Sequence, residues 1–139
     1  MVDAQSVLDI GTATGRGLRA LRDALPNAFL CGIEPVAALL GLARAIEVQE
    51  SGVLVQGTGL SLPFADASFD VVCKSDVLHH MQNPNGMVNE MLRVARKAVL
   101  FSDSNRFGQG PFPIRIANSR CTRPESGKPS IGFGRGMRP

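Results

Sequence analysis

The chain has 139 residues, 44% hydrophobic and 19% charged, with a net charge of +3, which is the size and composition of a single globular domain. No apolar run nears the roughly 18 residues of a membrane helix, and "MVDAQS" lacks the basic-then-apolar order of a secretory signal, so a cytoplasmic location is expected. Residues 1–103 carry 8 Lys/Arg against 11 Asp/Glu, and residues 104–139 carry 7 against 1, but this basic end lacks the interleaved aromatics and helical period of a nucleic-acid surface.

In chain order, "SVLDIG" (6–11) reads as a short buried strand. "GLRALRDAL" follows with Leu18, Leu21 and Leu25 at helical spacing, and Pro26 closes that helix. "FLCGIE" (29–34) predicts a second strand, residues 36–49 a second helix, and "GVLVQG" (52–57) a third strand. "FDVVCKSD" (69–76) makes a fourth strand. "NGMVNEMLRVAR" then predicts a helix with Met87, Val88, Met91, Leu92 and Ala95 on one face, and "KAVLFSD" (97–103) a fifth strand. Strands that alternate with helices and are apolar on both faces imply a parallel sheet covered on both sides. The expected fold is therefore α/β: a doubly wound, mainly parallel, Rossmann-like sheet of about five strands with helices on both faces. Residues 1–105 form the expected core. Residues 106–139 read as an irregular or disordered basic tail, since residues 104–139 hold six Gly and five Pro.

Sheets of this kind bind ligands beyond the carboxyl ends of their strands. The stretch "VLDIGTATGRG" (7–17) lies at such an end. Gly11 and Gly15 can take positive φ and present bare N–H groups, and the following helix N-terminus favours an anion. Asp9 can hold the loop or accept from a cationic group. A tight turn with no ligand would look the same. Glu34 ends the adjacent strand, where a carboxylate can accept both hydroxyls of a ribose. Cys31, Cys73 and Cys121 show no metal-ligand spacing, and Cys31 and Cys73 read as small hydrophobes in strands.

Taken together, "VLDIGTATG", "GIEP", "GTGLSLPFADASFDVV" and "VLHHM" resemble the successive motifs of class I S-adenosylmethionine-dependent methyltransferases. The pattern is most similar to the type 11 methyltransferase group, over about residues 6–103. The resemblance implies S-adenosyl-L-methionine as cofactor. Asp9, Gly11, Ala13 and Gly15 would wrap its methionine part, Glu34 would bind the ribose hydroxyls, and Thr58, Gly59 and Leu60 would border the adenine. Ser75 would lie near the methionine end, and alanine replacement of Glu34 is expected to weaken binding with little effect on the fold.

Two positions depart from the family pattern. Ala13 stands where glycine is usual, which costs about 1 kcal/mol if φ is positive. Thr58 stands where Asp is usual, which removes a charge-assisted bond to the adenine amino group. A nicotinamide dinucleotide, implying an NAD-dependent oxidoreductase, is the rival ligand. The fingerprint "GRGLRA" (15–20), however, would lie inside the helix rather than at its entry.

His79 and His80 follow the fourth strand, and His80 is the candidate base, with Asp76 a weaker one. By analogy the acceptor is a small molecule. Against the family pattern, the chain reads as a core truncated at both ends, and a cofactor-binding fragment without transfer activity is the alternative. The fifth strand is then expected to be an open edge that favours self-association. From about residue 117 the composition is what a shifted reading frame would produce.

Overall fold

The computed structural model describes residues 3–45, 52–75, 83–102 and 115–118. Strands β1 (Ser6–Ile10), β2 (Phe29–Glu34), β3 (Val53–Gln56), β4 (Phe69–Ser75), β5 (Ala95–Ser102) and β6 (Arg115–Asn118) form one sheet in the order β3-β2-β1-β4-β5-β6. The first five strands are mutually parallel, as the sequence pattern predicts. Helices α1 (Arg16–Ala24), α2 (Ala37–Ala45) and α3 (Pro84–Val94) lie in the β1–β2, β2–β3 and β4–β5 crossovers, and residues 57–68 join β3 to β4 without a helix.

Residue alternation along each strand builds two cores, one on each face of the sheet. Val7, Leu30, Val71 and Ala98 point to one face, where Leu18 of α1 covers them. Leu8, Ile10, Cys31, Ile33, Val72 and Val99 point to the other, against Met87, Met91 and Val94 of α3. The cysteines belong to this packing. Burial pushes the Cys31 thiol up to about 11. Burial also raises the Cys73 thiol, and the neighbouring Asp9 carboxylate adds to the effect. Cys121 lies outside the described residues.

The third helix ends two residues before its predicted limit. Ala95 is already extended, at φ −77° and ψ 135°, and β5 starts there. A larger correction concerns the open edge expected at the fifth strand. Residues 115–118, read as part of an irregular tail, form β6 and pair antiparallel with β5, from Ala98↔Asn118 to Phe101↔Arg115. The edge that was to drive self-association is therefore occupied over those residues. Sequence periodicity missed β6 because a four-residue strand is too short to display one. Among the described residues, no helix is long and apolar enough to cross a membrane.

Gly41 lies on the exposed side of α2, and a Cβ added there would meet nothing within 4 Å. Gly41→Ala is expected to raise folding stability by about 0.5–1 kcal/mol, because it removes only backbone freedom from the unfolded chain. Urea unfolding of the two proteins measures this directly.

Candidate functional site

The strand order reverses at β1, with β2 on one side and β4 on the other, so the crevice beyond the carboxyl ends of β1, β2 and β4 is the expected binding place. Between β1 and α1 the backbone turns through three positive φ angles: Gly11 at 70°, Ala13 at 48° and Gly15 at 81°. Gly15 is the N-cap of α1, with no side chain capping the helix and no acid in its first turn. Most of the N–H groups in this turn bond within the fold. Those of Gly11 and Thr12 donate to the Ile33 carbonyl at 2.7 and 3.2 Å, and that of Gly15 donates to the Thr12 carbonyl at 2.8 Å. Holding a sharp turn against the neighbouring strand consumes these donors.

Ala13 pays for its conformation, because a Cβ in the left-handed region crowds the backbone. Ala13→Gly is expected to stabilise the fold by about 1 kcal/mol, a rise of a few degrees in Tm. An unchanged Tm would contradict a strained residue 13.

Glu34 is buried at the end of β2, and its carboxylate ties two segments together. The Ala13 N–H donates to Oε2 at 3.1 Å and the Val36 N–H donates to Oε1 at 3.0 Å. A carboxylate offers about four lone-pair positions, so two remain for other donors. Asp9 is buried beneath the start of α1, and a Cβ on Gly17 would stand 3.0 Å from its Oδ2. Burial raises the Asp9 carboxyl above its ordinary range, and Thr12, Lys74 and Cys73 offset part of that rise. The Thr12 hydroxyl acts on Asp9 by proximity, as its Oγ1 is buried without a well-formed hydrogen bond.

Thr58, Gly59 and Leu60 lie just past β3, next to Glu34: the Gly57 N–H donates to the Glu34 carbonyl at 3.2 Å. The Leu60 N–H donates to Thr58 Oγ1 at 3.3 Å, closing a local turn. Gly59 is buried against Ile10 and Met87, while Leu60 and Val36 expose 43% and 49% of their surface beside the crevice. α3 clamps the residues that follow, 62–66. Arg93 donates to Glu90, to Asp66 and to the carbonyls of Leu62 and Phe64, and the Leu62 N–H donates to Glu90 at 2.8 Å. The Arg93 guanidinium and the Leu62 N–H hold the Glu90 carboxyl down to about 2.

The structure thus brings Asp9, Gly11, Ala13, Gly15, Glu34, Thr58, Gly59 and Leu60 to one end of the sheet. Ser75 is there too, as the last residue of β4, in register with Ser102. Asp76, His79 and His80 lie outside the described residues. Sequence reasoning missed Lys74, whose ammonium crosses from β4 to donate to the Ile10 carbonyl at 3.1 Å. A lysine at the end of an otherwise apolar strand was the available signal.

The family of the methyltransferase domain matches residues 8–102. Over 106 residues the chain is 34% identical to an uncharacterized methyltransferase of Mycobacterium leprae, covering 76% of this chain and 39% of that protein. Among solved structures, the YcgJ protein of Bacillus subtilis is similar at 29% identity and a TM-score of 0.65, over 72% of this chain and 44% of that one. The plantazolicin methyltransferase BpumL in complex with SAH shares the fold, at 21% identity and a TM-score of 0.66, over 74% of this chain and 40% of that one. The chain spans about two fifths of the length of the curated relatives it matches.

Proposed function

The chain belongs to the methyltransferase domain family, and from that premise we propose that it binds S-adenosyl-L-methionine across the ends of β1, β2 and β3 and presents its methyl group to a small-molecule acceptor. The observation that carries this reading is Glu34, a buried carboxylate with two unused lone-pair positions beside the Gly11–Gly15 turn. The fit to an adenosyl group is good. A ribose offers two hydroxyl donors to Glu34, and Val36 and Leu60 offer apolar surface to an adenine.

When bound, the cofactor supplies a methyl group on a cationic sulfur, which an in-line nucleophile can take. The chain's part is to hold, orient and exclude water. Glu34 fixes the ribose end and the Ala13 N–H together, so ligand and loop share one anchor. Thr58, Gly59 and Leu60 flank the adenine, just before residues 62–66, which Arg93 and Glu90 hold. Asp9 supports the turn from below α1, and Ser75 borders the methionine end. His80 is assigned the base role for an acceptor that must lose a proton.

Adding S-adenosyl-L-methionine or S-adenosylhomocysteine at a hundredfold excess over the dissociation constant is expected to stabilise the protein by about 2.7 kcal/mol, a shift of several degrees. NAD is expected to give no comparable shift. A larger shift with NAD, or none with either adenosyl ligand, would defeat the proposal.

A further inference from the structure

Lys74 has no role in the site as drawn from sequence, yet its ammonium lies at the carboxyl end of β1, against the Gly11 turn. The register Asp9↔Cys73 sets Lys74 beside Ile10, one residue further along both strands. The side chain is half-buried and folds over the end of β1, where Nζ donates to the Ile10 carbonyl at 3.1 Å. It stands so close to Gly11 that a Cβ there would collide with Nζ. Among the described residues, no carboxylate lies within ion-pair distance of it, and Asp9 acts on it only through space.

A half-buried ammonium satisfied by one neutral carbonyl is short of an anionic partner. The backbone around it supplies no competing donor at Gly11, Thr12, Ala13 or Gly15, since those N–H groups are consumed within the fold. Recognition of a negative group at this end of the crevice is therefore left to the Lys74 ammonium and the N–H groups that open α1. The uncapped N-terminus of α1 adds positive potential on the same side.

We propose that Lys74 is the residue that selects ligands carrying a free α-carboxylate, pairing with the carboxylate of the cofactor's amino-acid part. This rests on the adenosyl-binding reading above. Nζ donates to the neutral Ile10 carbonyl, and a carboxylate would be the stronger acceptor for it. No bond is made or broken in this step.

The test is isothermal titration of the wild-type chain, Lys74→Met and Lys74→Arg with two probes. One is S-adenosylhomocysteine, and the other is 5′-methylthioadenosine, which keeps the adenosyl group and sulfur but has no amino-acid part. Lys74→Met is expected to lose about 10–100-fold in affinity for S-adenosylhomocysteine, the scale of one charge-assisted bond, with affinity for methylthioadenosine unchanged. Lys74→Arg is expected to restore most of the loss. Equal losses on both probes would make Lys74 a strut of the loop and overturn the assignment. So would unchanged or tighter binding of S-adenosylhomocysteine by Lys74→Met, which would mark the ammonium as a plug. If the wild-type chain binds neither probe, the adenosyl-binding reading itself falls, and this assignment with it.

Discussion

Glu34→Ala is expected to cost about 2–4 kcal/mol of folding stability as well as ligand affinity, because it strands two backbone donors. The sequence alone suggested otherwise: a carboxylate at a strand end looks solvated, and its removal looks harmless to the fold. In the structure only 5% of Glu34 is exposed, and its two oxygens accept from Ala13 at 3.1 Å and Val36 at 3.0 Å. Alanine leaves both N–H groups without that acceptor and frees the strained turn that one of them anchors. Glu34→Gln separates the two roles. Its single carbonyl oxygen can keep one of the N–H bonds, so about half of the stability loss should return. The ribose hydroxyls would lose their charged acceptor in either variant, a loss of about 10–100-fold in affinity. Urea unfolding and isothermal titration of the three proteins give both numbers. A fully stable alanine variant would contradict the bonding described for Glu34.

Gly15→Val should be more damaging to the fold than any exposed substitution, at about 2–4 kcal/mol. Gly15 has φ 81° and ψ 10°, which a β-branched residue essentially never adopts. It is also buried, so the added methyl groups must displace neighbours. Moving away would break the bond from the Gly15 N–H to Thr12, at 2.8 Å, and that from Arg19 to the Gly15 carbonyl, at 3.1 Å. The first turn of α1 would then lose its anchor. Gly15→Ala isolates the backbone part, about 1–2 kcal/mol. Unfolding midpoints that place valine no lower than alanine would show that the site has room, and that φ alone decides. Gly41→Ala is the opposite case: the same kind of change stabilises where φ is helical and the space is empty.

What the sequence by itself determined is what depends on neighbours along the chain. Val7 and Leu8, Leu30 and Cys31, and Val71 and Val72 are apolar on both strand faces, and that local pattern was enough to read a parallel sheet buried on both sides. Gly11, Gly15 and Glu34 were legible for the same reason: Gly11 follows the end of β1, Gly15 opens α1 and Glu34 ends β2, and such element boundaries can be read locally. Tertiary structure alone decided what depends on strand order and reach. Lys74 meets Ile10 across 64 positions of sequence because β4 lies beside β1, and no periodicity reports which strands are neighbours. Glu34 became a support for the turn because the Ala13 N–H, 21 residues away, comes within 3.1 Å. The sign of φ at residue 13, and the four residues of β6 that close the edge of β5, were likewise decided by partners distant in the chain. Hydrophobic period records how much of a segment is buried, whereas hydrogen bonds and charge contacts are settled by which segments the sheet sets side by side.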